Sequence, residues 1–472
     1  MNSELCWTPA TELAGLIRRK AVSPVEVVDA ALARIERVNP SVNAYVTVTA
    51  AEARAAARAA EEAVARGATV GPLHGVPYSV KDLTPTRGIR TTMGSKIFEH
   101  YVPEEDAILV ERLHAAGAIL LGKTNTPEFG CKPFTDNRIF GATRNPWRRD
   151  RSAGGSSGGA AAAVAAGLGP LAEGSDLAGS IRQPAAWCGV VGFKPSQGRV
   201  ARYPNAAGWN AMSMNGPITR TVADAAFMFS VLTGPDARDP LALPHTGEDW
   251  ARLADGAGVR GLRVAWTADL GGAAAVDRAV ASVCAAAARR FEALGAHVEP
   301  ASPEIGSITE PFLAINAALR LAAYGKYLPQ WRDEMDPVLV RRLDLGLSLT
   351  ASDVGRAEAE RTAYHQRLRR FFEDYDLLLC PTAAVTATPL DEPLPAEIAG
   401  RPMTQHIDML LPTYAFNFSA FPAITVPCGF SNEGLPVGLQ IAAGWRQDAR
   451  VLTAAAAFEA AAPWAGRRPP ID

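Results

Sequence analysis

Between residue 71 and about residue 232, short apolar runs alternate with helix-like stretches, and this alternation constrains the fold more than any other feature of the chain. The apolar runs are Val76–Val80, Ala118–Leu121 and Gly169–Ala172, and the helix-like stretches are Asp106–Ala116, Gly158–Ala166 and Thr221–Leu232. Strands joined by crossover helices build a sheet whose two faces are both covered. The expected fold is therefore α/β, a large mixed, mostly parallel twisted sheet flanked by helices on both faces. Glycines crowd the junctions of this region, where loops after strands tend to carry function.

The same texture returns further on. Leu262–Trp266, a helix over Ala275–Leu294 and His297–Pro300 read as another βαβ unit, after a Pro-, Gly- and Asp-rich connection at 234–260. Helices then dominate to about Tyr375, followed by strands at Leu377–Cys380, Ala423–Val426 and Val437–Ile441 and a last helix near Ala449–Ala460. The first 70 residues read as helices instead. Thr8-Pro9 has the form of a cap with proline at the first helical position, and Ser23-Pro24-Val25-Glu26 that of a capping box. With no repeat and no clean linker, the expected organisation is an N-terminal helical wrap (1–70) on a single domain (71–472). That domain has its core at 71–232 and a helical insertion at about 305–375.

Composition excludes several functions. Hydrophobic residues are 48% and charged residues 20% of 472, the mix of a soluble globular protein, and the formal net charge of −2 gives a nucleic acid nothing to bind. The six cysteines are scattered singly, without a pair or cluster that would suggest disulfides or a metal site. The opening MNSELCWTP lacks an apolar run, and the weakly polar stretch Gly158 to Leu171 is too short to span a bilayer. A cytoplasmic protein with no membrane partner is expected.

Two motif matches mislead. Gly117 to Thr124 has the spacing of a phosphate-binding loop, but its four intervening residues, Ala-Ile-Leu-Leu, are themselves the apolar strand. Their N–H groups belong to a sheet ladder and cannot cradle phosphate. Gly154-Gly-Ser156-Ser-Gly158 fits the nucleophile elbow GxSxG, yet the residues ahead of it, Pro146-Trp-Arg-Arg-Asp-Arg, are polar where that motif needs a strand. No histidine has a setting that would complete such a triad.

The chemistry lies elsewhere. Gly154 to Gly159 is a loop nearly without side chains that leads into an alanine helix. Gly174-Ser-Asp-Leu-Ala-Gly-Ser180 again puts small residues just before a serine, where unencumbered N–H groups suit acyl transfer. A serine hydroxyl needs a base. Lys81, ending the run Val76–Val80, reads either as a desolvated lysine serving as that base or as a structural lysine paired with Asp82. Burial would lower its pKa from about 10.4 towards the range useful for a base.

Together these segments resemble the amidase signature family. The resemblance rests on GVPYSVKDL (75–83), GKTNTPEFG (122–130), NPWRRDRSAGGSSGG (145–159), GSDLAGSIRQPA (174–185) and CGVVGFKP (188–195), with a weaker match running to Ala226. It implies a catalytic triad of Lys81, Ser156 and Ser180. Ser180 would be the nucleophile, Ser156 the relay and Lys81 the base. It implies an oxyanion hole made by the backbone N–H groups of Leu177, Ala178, Gly179 and Ser180, and a cis peptide bond at Gly155–Ser156. Gly130 and Cys131 align with a segment that lines the substrate site in relatives. Arg182 is more often structural in the family than a substrate ligand, and Asp176 is expected to orient its loop. The chain departs from the family at Ser175, usually Thr, and Ala178, usually Gly, which would be strained if that position needs a positive φ.

The resemblance implies an amidohydrolase that cleaves a carboxamide C–N bond through a seryl acyl-enzyme. It needs no metal or organic cofactor and acts on a small-molecule amide, with activity on esters, anilides or carbamates and a homodimeric state left open. The alternative is the glutaminase subunit of a tRNA-dependent amidotransferase. Apolar content at Pro311–Ile315 and Met409–Pro412 favours an apolar or aromatic acyl group over a charged one.

Overall fold

The computed structural model describes residues 3–205, 207–255 and 258–471. Eleven strands form one sheet: β1 (Tyr45–Val48), β2 (Pro77–Lys81), β3 (Ile119–Thr124), β4 (Leu171–Asp176), β5 (Val191–Lys194), β6 (Met214–Thr219), β7 (Arg263–Trp266), β8 (His297–Pro300), β9 (Leu377–Pro381), β10 (Ala423–Phe430) and β11 (Pro436–Ala443). Their spatial order is β1-β3-β2-β4-β6-β5-β10-β11-β9-β7-β8. The sheet is mixed, as expected. Parallel pairing occurs in two blocks, β3-β2-β4 and β9-β7-β8. The strands between these blocks pair antiparallel, through β4-β6-β5 and the hairpin β10-β11.

All five residues of β2 and all six of β3 are buried, because helices cover both faces of the sheet here. Strands buried on two faces read as continuous apolar runs rather than as alternation. The helix Gly158–Ala165 is likewise buried along its whole length, and its glycines and alanines let it pack closely on β2 and β4.

The N-terminal segment adds a strand that the sequence did not reveal. Tyr45–Val48 joins the sheet edge antiparallel to β3, and four residues are too few to show a period. The capping box at Ser23 forms, with Pro24 opening the helix to Val42. The cap expected at Thr8 does not. Pro9 is the N-cap, and the N–H groups of Ala10 and Thr11 donate instead to the carboxylate of Asp224, each at 2.9 Å. Three long helices, Thr309–Tyr324, Pro337–Ser348 and Ala351–Asp374, occupy the region expected as a helical insertion. Among the described residues no helix is long and apolar enough to cross a membrane.

Candidate active site

Strand β2 carries Lys81 at its C-terminal end, and the side chain is fully buried. Its Nζ lies 2.7 Å from Ser156 Oγ, 2.9 Å from Ser157 Oγ and 3.1 Å from Ser175 Oγ. Among the described residues no carboxylate pairs with its Nζ. The structural alternative, a pair with Asp82, is not what forms: the Asp82 carboxylate accepts from the N–H and hydroxyl of Thr92. Burial is the main cause that pulls Lys81 down to about 7; Glu173 and Asp176 oppose it and the charge of Arg320 assists it. Three hydroxyls suit both protonation states. An ammonium can donate to all three, whereas a neutral amine can donate to two and accept from the third.

The three serines arrive from two segments. Ser156 and Ser157 sit on the glycine loop before the helix Gly158–Ala165, and the Gly155–Ser156 peptide is cis, as the resemblance implied. Ser175 comes from β4, whose next residues form the loop to Ser180. The two loops are tied directly, since Ser157 N–H donates to the carbonyl of Ser180 at 3.1 Å. Beneath Lys81, Glu173 accepts from the Lys81 N–H, the Thr84 hydroxyl and the Asn215 amide, which fixes the strand ends together.

The loop 176–180 is held from below. Asp176 and Arg182 form a wholly buried ion pair, and Arg182 also donates to Gln440 and Asn417. Burial alone would raise Asp176, but Arg182 beside it keeps its carboxyl well below the usual range. With every arm of its guanidinium engaged inside the protein, Arg182 is structural. Asp176 orients the loop as expected, accepting from the N–H groups of Gly179, Ile181 and Arg182.

That arrangement corrects one expectation. The N–H of Gly179 donates to Asp176 Oδ1 at 2.7 Å and is therefore not free for an oxyanion. Among the described residues the N–H groups of Leu177, Ala178 and Ser180 have no partner within the protein. Gly179 is needed for its shape instead. Its φ is +113°, and a Cβ there would lie 2.2 Å from Thr413 Oγ1. Ala178 is not among the residues with positive φ, so alanine is unstrained at that position.

Ser180 lines two cavities, of about 400 and about 320 Å3, and Ser156 and Ser175 line the larger. No hydrogen bond engages the Ser180 hydroxyl among the described residues. Gly130 lies on both cavities and Cys131 on the smaller one, where burial pushes its thiol well up. Gly130 has a φ of +64°, and a Cβ on it would sit 3.0 Å from Ser156 Oγ and 3.1 Å from Leu83. Any side chain here would crowd the serine. The larger cavity has an aromatic wall: Phe129 stacks on Tyr324 at 4.1 Å, and Phe98 meets Phe129 and Tyr327 edge-on.

Sequence reasoning missed three contributors. Ser157 and Ser175 complete the shell around Lys81; at Ser175 the retained hydroxyl was the available signal. Arg320 donates to the carbonyls of Phe129 and Gly130 and borders both cavities. Its signal was a lone cation in the apolar stretch Ala317–Tyr324.

A family model described as Amidase matches residues 26–452. The chain is 43% identical to an acylamidase of Rhodococcus erythropolis over 471 residues, covering 99% of this chain and 98% of that one. It is 39% identical to a glutamyl-tRNA(Gln) amidotransferase subunit of Moorella thermoacetica, covering 99% of each. Among solved structures it resembles a bacterial aryl acylamidase of the amidase signature enzymes, with 35% identity and a TM-score of 0.91 over 98% of this chain and 99% of that one.

Proposed function

The chain belongs to the amidase signature family and is a hydrolase of amide C–N bonds, and we propose that Lys81, Ser156 and Ser180 carry out its reaction through a seryl acyl-enzyme. The observation that carries this reading is the 2.7 Å contact of the buried Lys81 Nζ with Ser156 Oγ. A lysine that is neutral near pH 7 accepts the Ser156 proton while Ser156 takes the proton of Ser180, whose oxygen attacks the substrate carbonyl. The tetrahedral oxyanion is met by the N–H groups of Leu177, Ala178 and Ser180, each such donor being worth roughly 2.7–4 kcal/mol. The proton held on Lys81 then returns through Ser156 to the departing amine as the C–N bond breaks. Water enters, the relay runs again in the same direction, and the carboxylic acid leaves Ser180 free.

The aromatic wall of the larger cavity supports an apolar or aromatic acyl group, on a small-molecule amide as substrate. The likeness to an acylamidase and to an aryl acylamidase points the same way. A free-standing enzyme in the cytoplasm fits six cysteines that form no disulfide among the described residues. The second reading, a glutaminase subunit that depends on a partner chain, draws support from the amidotransferase relative. A net charge of −2 supports no direct contact with nucleic acid.

Mass spectrometry of the enzyme quenched during turnover of aryl and alkyl amides, anilides and esters tests the reading. An acyl adduct on Ser180, absent from Ser180→Ala, is expected. Turnover of amides by Ser180→Ala, or an adduct on another residue, would refute the assignment. Brisk hydrolysis of simple amides by the isolated chain would eliminate the partner-dependent reading.

A further inference from the structure

The smaller cavity shares Ser180 with the larger one but is built from different chemistry. Gly130, Leu177, Ser180, Asn316 and Arg320 border both, so a substrate held at Ser180 extends into the two. The remaining wall of the smaller cavity carries Arg341 and Arg342 from the helix Pro337–Ser348. Among the described residues none of these three guanidinium groups has an ion-pair partner. Arg320 donates only to neutral acceptors, the carbonyls of Phe129 and Gly130 and the amide oxygen of Asn316. Among the described residues the side chains of Arg341 and Arg342 make no hydrogen bond within the protein.

The other ionisable groups on this wall do not cancel the charge. Lys132 is already paired with Asp136 and Asp336, at 2.8 and 2.6 Å. His406 is pulled down to about 4, by burial first and by Lys132 and Arg341 next, and so is uncharged at neutral pH. Among the described residues of this wall, Glu310 is the one unpaired carboxylate. The part-buried Arg320 and Arg342 and the exposed Arg341 therefore line this space against a single negative charge. Burial, with Arg320 and Arg341 nearby, pulls Arg342 down to about 10. Like charges brought out of water without partners are unfavourable, and a planar anion that accepts from their forked donors removes that cost.

We propose that this cavity binds a carboxylate carried on the leaving amine, so that the preferred substrates are N-acylated amino acids with an apolar or aromatic acyl group. The inference rests on Ser180 as the nucleophile and on the larger, aromatic cavity as the acyl site. An amide spanning Ser180 then puts its acyl group against Phe129 and Tyr324 and its amine in the arginine-lined space. The products are an apolar carboxylic acid and a free amino acid.

The test uses three substrates on the full chain: N-benzoylglycine, N-benzoylethylamine, which lacks the carboxylate, and a half-amide of a dicarboxylic acid. N-Benzoylglycine is expected to have the highest kcat/KM. In Arg342→Gln and Arg341→Gln its advantage over N-benzoylethylamine should shrink roughly ten- to a hundredfold, mainly through KM, with partial recovery in Arg342→Lys. Calorimetry with Ser180→Ala gives a readout free of turnover: N-benzoylglycine should bind, and adding Arg342→Gln should weaken it by the same factor. Unaltered thermal melting of the arginine variants separates lost recognition from lost folding. A carboxylate preference that is absent, or that survives in both arginine variants, overturns the proposal. So does a half-amide that is preferred and depends on Arg342, which would move the carboxylate to the acyl side. These outcomes leave the nucleophile untouched, whereas hydrolysis of N-benzoylethylamine by Ser180→Ala removes Ser180 and with it the reading on which this inference rests.

Discussion

Two lysines lie near the C-terminal ends of neighbouring parallel strands, both fully buried, and only one has the setting of a base. Lys81 closes β2, and Lys123 lies beside it on β3, in register with Val80. Burial dominates both, pulling Lys81 to about 7 and Lys123 to about 8. A lowered pKa therefore does not distinguish them. What differs is the company. Lys123 donates to the carbonyl of Thr84 and to the hydroxyls of Thr86 (2.9 Å) and Thr91 (3.1 Å), with Asp82 the strongest influence holding its proton on. Neither Thr86 nor Thr91 borders the two cavities at Ser180. Lys81 instead touches three serines, two of which border the larger cavity. Chemistry requires a hydroxyl chain that leads from the amine to open space; burial alone gives an anchor.

The largest effect that could break this comparison comes from exchanging the two amines for apolar side chains. Lys81→Ala should lower kcat/KM on amides on the order of 10³-fold or more, whereas Lys123→Met should change it less than about tenfold. Comparable losses in both would mean that the contrast is false. The pH profile gives the next largest effect. Protonation of Lys81 removes the base, so kcat/KM should fall tenfold per pH unit below about 7 and level off above it. The same midpoint should persist in Lys123→Met, and a midpoint that moves with Lys123 would assign the base to the wrong strand.

Smaller effects sharpen the picture. Ser175→Ala removes one hydroxyl acceptor from the ammonium form, so the Lys81 pKa should drop further and the midpoint of the profile shift to lower pH, with a rate loss of about tenfold. An upward shift would show that Ser175 does not stabilise the charged lysine. The smallest effect on turnover belongs to Lys123→Met, whose effect should be read in stability. Leaving the Thr84 carbonyl and two threonine hydroxyls without their donor should cost about 1–3 kcal/mol in denaturant unfolding. A variant as stable as the parent would deny Lys123 its anchoring role.

The sequence made some of this legible and hid the rest for physical reasons. Val76–Val80 and Ala118–Leu121 announced β2 and β3 because both faces of those strands are covered, so every position is apolar. The misleading glycine-lysine spacing at 117–124 resolved correctly for the same reason. The antiparallel centre of the sheet was not legible, because alternation of strands and helices reports crossovers and is silent about how β6, β5 and the β10-β11 hairpin pair. β1 was hidden by its length. At the site, the small residues around Ser156 and Ser180 were visible because glycine has few other reasons to cluster. The commitment of the Gly179 N–H to Asp176 was invisible, since it depends on Arg182 and Asn417 holding that carboxylate, with Arg182 itself held by Asn417 and Gln440 from two distant segments. Nothing in the sequence marked Arg341 and Arg342, because only the fold brings the helix Pro337–Ser348 to the cavity that Gly130 also lines.

The central claim is that Lys81 loses its charge near neutral pH while joined to Ser156, and a titration of its own nitrogen tests that most directly. In protein labelled with ¹⁵N at lysine side chains, the Nζ signal that disappears in Lys81→Met should titrate with a midpoint near 7, far from that of the exposed lysines. A midpoint close to the ordinary lysine value of about 10.4 would mean that the amine is an ammonium throughout the working range and cannot draw a proton from Ser156.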